Sequence, residues 1–171
     1  ETLNVISTGG ANTLTALTNQ ANTINISGTA ALTLGGQNAT AETIISTSTG
    51  AVTLTSNNVL ASAYTGGDGV DTITFGGGTV VAETVSAGLG ADVITFTAAL
   101  DDQDVLDGGD GIDTLVGIDA DLGALTSTAT TSNITNFEVI RVTDDLDGNL
   151  NVSDVQESGI TTVTLASNGN T

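Results

Sequence analysis

The sequence predicts an all-β fold, a parallel β-helix or β-roll of the β-solenoid type. Three segments that begin 21 residues apart indicate this fold, because each is a version of the nonapeptide G-G-x-G-x-D-x-U-x, where U is aliphatic. Residues 66–74 and 108–116 fit every fixed position, and residues 87–95 depart only at Ala87. This repeat is typical of parallel β-helices whose turns bind calcium. We therefore expect a solenoid with stacked calcium turns.

The spacing of the acidic residues indicates the shape of one coil. Acid-x-aliphatic units recur at Asp71, Glu83, Asp92, Asp104 and Asp113, with steps of 12, 9, 12 and 9 residues. Alternating steps that sum to 21 describe a coil of two strands and two turns, with one acid at each turn. Stacked strands lie about 4.7–4.9 Å apart, and a calcium–oxygen bond is about 2.3–2.6 Å long. One ion therefore fits between carboxylates on successive coils.

The nonapeptide acids form the first predicted row of ligands, with ions between Asp71 and Asp92 and between Asp92 and Asp113. The glycines let the turn backbone adopt positive φ and direct carbonyl oxygens inward as further ligands. Plain turns with solvated aspartates are the alternative. The candidate metal residues of this row are Gly66, Asp68, Gly69, Asp71, Gly88, Gly90, Asp92, Gly108, Asp110, Gly111 and Asp113. Asp68 and Asp110 occupy variable positions, where they add negative field rather than bind directly.

A second, less complete row of candidate ligands lies at the other turn of each coil. Glu83 pairs with Asp104 one coil later, helped by Asp101 or Asp102. The glycine framework is incomplete there, so solvated turn acids are the alternative for this row.

The charge balance limits the partners of the chain. Its net charge is −19, with Arg141 as the single basic residue against 20 acids and with no histidine. Such a chain cannot neutralise phosphates or hold an anionic membrane surface, so we expect neither nucleic acid nor membrane insertion. Divalent cations are the natural counter-charge, and without them the stacked carboxylates should keep the nonapeptide segment disordered.

The residue types argue against catalysis. The absence of cysteine excludes thiol catalysis, disulfides and thiolate metal sites. Paired acids could in principle cleave glycosides, but these acids follow glycines in repeating turns, with no aromatic platform for a sugar. We expect a protein that is not an enzyme.

Three segments are predicted along the chain. Residues 1–65 form a Thr/Asn-rich β-solenoid without calcium turns, since short alternating apolar units recur every 8–11 residues. A β-sandwich is the alternative there. Residues 66–121 form the calcium-binding β-roll, and residues 122–171 begin another solenoid repeat. An aromatic content of 2% and a mean hydropathy of +0.24 suit a narrow core of stacked aliphatic side chains.

The nonapeptides, with the phrases Asn-Phe-Glu-Val-Ile at 136–140 and Glu-Thr-Leu-Asn-Val at 1–5, resemble one protein family. It comprises RTX-containing, calcium-dependent bacterial surface-layer (S-layer) proteins of the Caulobacter type, exported by type I secretion. The resemblance implies export unfolded, folding outside the cell and assembly into a lattice. It implies ligand roles for Asp71, Asp92 and Asp113, with carbonyls from residues 66–69, 87–90 and 108–111. Ala87 and the 21-residue coil, where the family's regular roll has 18, are departures.

The function expected is that of a structural, calcium-binding segment of a secreted, self-assembling surface protein on the outside of the cell. A second copy of the chain is the expected partner, in a lattice or fibre, and a cell-surface polysaccharide is expected to bind other parts of the full protein. The alternatives are a repeat of a giant RTX adhesin and the secretion or folding module of an exported RTX enzyme. Thr-x-Thr pairs such as Thr53/Thr55 and Thr72/Thr74 leave ice binding as a further alternative.

Overall fold

The fold is a parallel β-solenoid, as the sequence predicts. The structure is a computed structural model that describes residues 1–17, 21–37, 43–56, 62–76, 82–97, 100–101, 103–124, 133–144, 150 and 159–166. Strands that follow one another along the chain alternate between two sheets, and every neighbouring pair within a sheet is parallel.

Sheet A contains seven strands in the order β1-β3-β5-β7-β9-β11-β13. Their bounds are Thr2–Ser7 (β1), Thr23–Gly28 (β3), Thr43–Ser46 (β5), Ala63–Thr65 (β7), Thr84–Ser86 (β9), Val105–Asp107 (β11) and Ile134–Thr135 (β13). Sheet B contains eight strands in the order β15-β14-β12-β10-β8-β6-β4-β2. Their bounds are Asn12–Leu14 (β2), Leu32–Gln37 (β4), Val52–Ser56 (β6), Thr72–Phe75 (β8), Val93–Phe96 (β10), Thr114–Gly117 (β12), Val139–Val142 (β14) and Thr162–Leu165 (β15).

The register confirms the predicted coil of two strands and two turns. Thr72 pairs with Val93, and Val93 pairs with Thr114, so each step between these coils is 21 residues. The next step, from Thr114 to Val139, is 25 residues. The β-sandwich alternative for residues 1–65 is wrong, because β1 pairs with β3 and β2 with β4 in parallel, whereas β1 and β2 lie in different sheets.

The core is a narrow stack, as the scarcity of aromatic residues predicts. Each coil contributes one inward side chain from sheet A and one from sheet B to two continuous columns. The sheet A column is Ile24, Ile44, Tyr64, Val85, Leu106 and Ile134. The sheet B column is Leu34, Leu54, Ile73, Ile94, Leu115 and Ile140. All twelve side chains are buried, and β-branched or aliphatic residues suit such a pleated surface.

One short helix, α1 (Asp119–Ala124), follows β12 and was not predicted from the sequence. Its first turn carries Asp119 and Asp121. Negative side chains there interact favourably with the unpaired backbone N–H groups of a helix start. The alternating pattern of the flanking strands gave no sign of this interruption.

The turn glycines act in two different ways. Gly88 and Gly109 have φ of +102° and +90°, which fits the predicted use of left-handed backbone. The first nonapeptide differs, because its glycines are not among the residues with positive φ. A Cβ on Gly66 would instead collide with the carbonyl oxygen of Ala87 on the next coil. The glycine at 66 is therefore required by the close stacking of the coils.

We predict that Gly66→Ala destabilises the folded protein, because the added methyl group must push two coils apart. Overpacking of this kind costs about 1–3 kcal/mol. The matched control is Gly10→Ala, since a Cβ at Gly10 meets nothing within 4 Å and its φ is not positive. Thermal unfolding followed by circular dichroism measures both variants. Equal melting temperatures for the two would contradict the close-stacking account.

Candidate metal centre

The nonapeptide acids lie at one edge of the solenoid, where the chain passes from sheet A to sheet B. The three connections β7–β8, β9–β10 and β11–β12 each end on an aspartate that immediately precedes the sheet B strand. We call Asp71, Asp92 and Asp113 the carboxylate row. Their side chains are buried, with exposed fractions of 1%, 0% and 0%. Full burial of a charged residue is rare unless a partner compensates it, so the solvated-turn alternative does not describe these three residues.

Backbone hydrogen bonds join the carboxylate row from coil to coil. The N–H of Asp71 donates to Oδ1 of Asp92 at 2.6 Å, and the N–H of Asp92 donates to Oδ1 of Asp113 at 2.7 Å. Each carboxylate therefore spans one strand spacing and contacts the turn before it. The 21-residue spacing thus brings the three predicted residues together in the predicted order.

At its N-terminal end the carboxylate row is fully hydrogen-bonded. Oδ1 of Asp71 accepts the backbone N–H of Val52 at 2.8 Å, and Oδ2 accepts the Tyr64 hydroxyl at 2.7 Å. Tyr64 is buried in the sheet A column, where burial and the negative charge of Asp71 raise the pKa of its hydroxyl. The tyrosine therefore remains a hydrogen-bond donor to this carboxylate.

The other two members of the row each carry one unsatisfied oxygen. Oδ2 of Asp92 and Oδ2 of Asp113 are buried and have no hydrogen-bond partner. An ionised carboxylate without a partner is costly to bury. Either a proton or a bound cation must therefore accompany these two groups in the folded state.

Burial and mutual repulsion make the carboxylates of the row weaker acids. Burial, with smaller contributions from the charges of Asp71 and Asp113, raises the pKa of Asp92 from 3.8 to about 7. Burial also raises the pKa of Asp71 and of Asp113, and the charge of Glu138 adds to the shift at Asp113. The folded chain alone therefore disfavours the ionised row at neutral pH, and a cation beside it would reverse that preference.

Backbone carbonyls come close to the row at the turn glycines. A Cβ on Gly90 would lie 2.7 Å from the carbonyl oxygen of Gly69 and 3.0 Å from Oδ1 of Asp92. Among the described residues, no three acidic side chains converge as a ready-made metal cluster. Turn carbonyls would therefore have to complete the six to eight oxygen ligands that calcium takes. This mixed set of hard oxygen donors fits calcium.

The remaining predicted residues of this edge differ in exposure. Asp68 and Asp110 are exposed, which fits their assignment to variable positions outside the ligand set. The glycines follow the turn from inside to outside: Gly69 and Gly108 are buried, Gly66, Gly88 and Gly90 are half-buried, and Gly111 is exposed.

The second predicted row lies at the opposite edge and is better satisfied. Glu83 and Asp104 are buried, and the N–H of Glu83 donates to Oδ1 of Asp104 at 2.8 Å. Oδ2 of Asp104 accepts the N–H of Asp101 at 2.9 Å. Burial and the neighbouring Asp104 raise the pKa of Glu83. Asp102 lies outside the described residues.

The sequence reasoning missed two acidic contacts beyond the third nonapeptide. Oε2 of Glu138 accepts the N–H of Asp113 at 2.8 Å, and Oδ1 of Asp144 accepts the N–H of Asp119 at 2.7 Å. Both pairs are 25 residues apart, so a search at a fixed step of 21 passes over them. The usable signal was the acid-x-aliphatic unit that begins at Glu138.

Comparison of the chain with protein-family models, curated proteins and solved structures found no match. In the part of the chain that the structure describes, no helix has the length and apolar character needed to cross a bilayer. The function must therefore be inferred from the fold and from the chemistry of the carboxylate row.

We predict that, in calcium-free buffer, β-structure increases as the pH falls from 8 to 5. The folded chain binds more protons than the unfolded chain between 3.8 and about 7, the ordinary and raised pKa of Asp92. The stability of the calcium-free fold is therefore present at the acidic end of this window and is lost as the pH rises through it. Circular dichroism on calcium-stripped protein measures this effect.

The control variant for this pH series is Asp92→Asn, which removes the most clearly shifted carboxyl group. Its pH dependence should be weaker than that of the wild type. A wild-type fold that becomes more stable between pH 5 and pH 8 without calcium would contradict the buried, unpaired row.

Proposed function

We propose that this chain is a structural, calcium-binding segment of a secreted, self-assembling bacterial S-layer protein, and that calcium drives its folding and assembly. The observation that supports this best is the carboxylate row, with its two buried oxygens that lack a partner at Asp92 and Asp113. A cation between successive coils would compensate these charges without moving the coils.

Calcium is the cation that best fits the donors at this edge. The row offers carboxylate and backbone carbonyl oxygens, and the chain contains no cysteine or histidine for softer metals. Magnesium demands a tighter octahedral shell and gives up its water reluctantly, whereas calcium accepts flexible sets of protein oxygens. The strand spacing of about 4.7–4.9 Å matches two calcium–oxygen bonds in line.

Calcium binding and folding are coupled in this proposal. With a net charge of −19 and a buried row of like charges, the chain has a strong electrostatic reason to remain unfolded without cations. Where a metal site exists only in the folded state, its binding free energy stabilises the fold. Extracellular calcium modules work at about 10⁻⁴–10⁻³ M, so the chain would stay unfolded at lower calcium and fold after export.

Assembly is supported by the resemblance to S-layer proteins and by the terminal strands. At one end of the sheets, Ile6 of β1 is 69% exposed and Leu14 of β2 is 39% exposed. At the other end, Val163 and Leu165 of β15 are 42% and 52% exposed. Apolar side chains and backbone hydrogen-bonding groups on terminal coils favour the stacking of further coils. A cell-surface polysaccharide remains the proposed anchor for other parts of the full protein.

The rival functions share the calcium fold and differ in what it serves. A repeat of a giant RTX adhesin, or a folding module of an exported RTX enzyme, would fold with calcium and remain monomeric. Ice binding would need an unbroken array of outward threonines. The column Thr33, Thr53 and Thr72 is followed by Val93 in the register of sheet B, which argues against that array.

A calcium titration of the purified chain tests the proposal, with circular dichroism and electron microscopy on the same samples. The proposal predicts that β-structure and ordered assemblies both appear with calcium and disappear with chelator. If β-structure forms and the particles stay monomeric, the S-layer function is wrong and the module readings replace it. If calcium changes neither signal, calcium-coupled folding is wrong as well.

We predict that Asp92→Asn raises the calcium concentration at half-folding more than Asp71→Asn does. Asp92 is bonded between two neighbouring turns and has an unpaired oxygen, whereas both oxygens of Asp71 already accept hydrogen bonds. Loss of a direct ligand should shift the midpoint about tenfold or more, since even outer-shell partners are worth about that much.

The matched control for this pair is Asp68→Asn, which removes the same charge from an exposed position of the same turn. It should shift the midpoint little, because exposed charges are screened by salt. Equal shifts for Asp71→Asn and Asp92→Asn would contradict ions stacked along the row.

A further inference from the structure

The coil after the third nonapeptide continues the carboxylate row with a residue of another type. The N–H of Asp113 donates to Oε2 of Glu138 at 2.8 Å, which repeats the bonds from Asp71 to Asp92 and from Asp92 to Asp113. In sheet B, Thr114 pairs with Val139, so Glu138 occupies the register position of the row. This coil carries no nonapeptide.

The turn that presents Glu138 is shorter than the nonapeptide turns. Asp107 and Thr135 are register partners, as are Thr114 and Val139, one residue beyond the two acids. The path from Asp107 to Asp113 is six residues, and the path from Thr135 to Glu138 is three. A glutamate has one methylene more than an aspartate, which extends its reach from a shorter turn.

Asn136 fixes the shape of this short turn. It is the described non-glycine residue with positive φ, at 56°, a conformation that asparagine tolerates better than most residues. Its Nδ2 donates to Oδ1 of Asp107 at 2.7 Å, which ties the turn to the last nonapeptide coil. The Glu138 carboxylate is therefore held at a defined place beside the row.

The neighbourhood of Asp113 has a strong excess of negative charge. Asp113 is fully buried, its Oδ2 has no hydrogen-bond partner, and the charges of Glu138, Asp107 and Asp110 all raise its pKa. An unpartnered, buried oxygen beside a second carboxylate is stable only with a proton or with a cation. The local geometry here matches that of the two preceding gaps.

The opposite end of the row is closed without an ion. The register position of Asp71 is held in the preceding coil by Val52, which offers only its backbone N–H. The Tyr64 hydroxyl occupies the second oxygen of Asp71. A neutral hydrogen bond therefore stands where another cation would otherwise be needed.

We propose that Glu138 and Asp113 form a third calcium site beyond the last nonapeptide, and that the Tyr64 hydroxyl ends the row of ions at its N-terminal side. This inference rests on the proposed calcium-binding function. It adds one ion to the two gaps that the nonapeptides define, and it places the limits of the row at two residues outside the motif.

The test counts calcium ions bound to the full chain at saturating calcium, by native mass spectrometry. Glu138→Gln should bind one ion fewer than the wild type. The control Asp68→Asn, which removes an exposed acid, should bind as many as the wild type. The glutamine keeps an oxygen that can accept the Asp113 N–H, and circular dichroism in calcium verifies that the variant folds.

An equal ion count for Glu138→Gln and the wild type would overturn the third site and leave the proposed function intact. A wild-type chain that binds no calcium would overturn both. Tyr64→Phe tests the other end independently: its ion count should not fall below that of the wild type. Loss of an ion in this variant would make the hydroxyl a ligand, and the row would not end there.

Discussion

The stacking of coils at one strand spacing is the constraint on which the rest of the structure depends. Parallel coils of 21 residues place equivalent turn residues directly above one another, about 4.7–4.9 Å apart. A residue type that appears in one turn is therefore repeated as a row. When that residue is an inward aspartate, burial and repulsion act on every member at once, as the raised pKa values of Asp71, Asp92 and Asp113 show.

The N-terminal coils meet the same constraint with neutral groups. At the edge where the later coils carry aspartates, Ser7 and Ser48 are buried, each with an exposed fraction of 1%. The Ser48 hydroxyl lies 2.9 Å from the carbonyl oxygen of Gly50, and the Ser7 hydroxyl lies 3.1 Å from that of Ala31. Hydroxyl groups satisfy these turns at any calcium concentration. The solenoid thus combines turns that are complete by themselves with turns that require compensation, and Val52 and Tyr64 mark the junction.

Much of this architecture could be predicted from the sequence, because a solenoid converts sequence period directly into spatial register. The 21-residue step correctly stacked Asp71, Asp92 and Asp113, and alternation correctly placed Ile73 and Ile94 in the core. The same reasoning failed where the period changes. Glu138 lies 25 residues after Asp113, and the step hides its place in the row. The contact between Tyr64 and Asp71 crosses between sheets, and no local pattern encodes it.

The most direct test of the account is a crystal structure grown in calcium, with anomalous diffraction collected at a wavelength where calcium scatters strongly. The account predicts anomalous peaks about 2.3–2.6 Å from Oδ2 of Asp92 and Oδ2 of Asp113, between coils that keep their 21-residue register. Carboxylates that remain buried at neutral pH with no anomalous peak beside them would contradict it. In that case protons, and not calcium, would compensate the row.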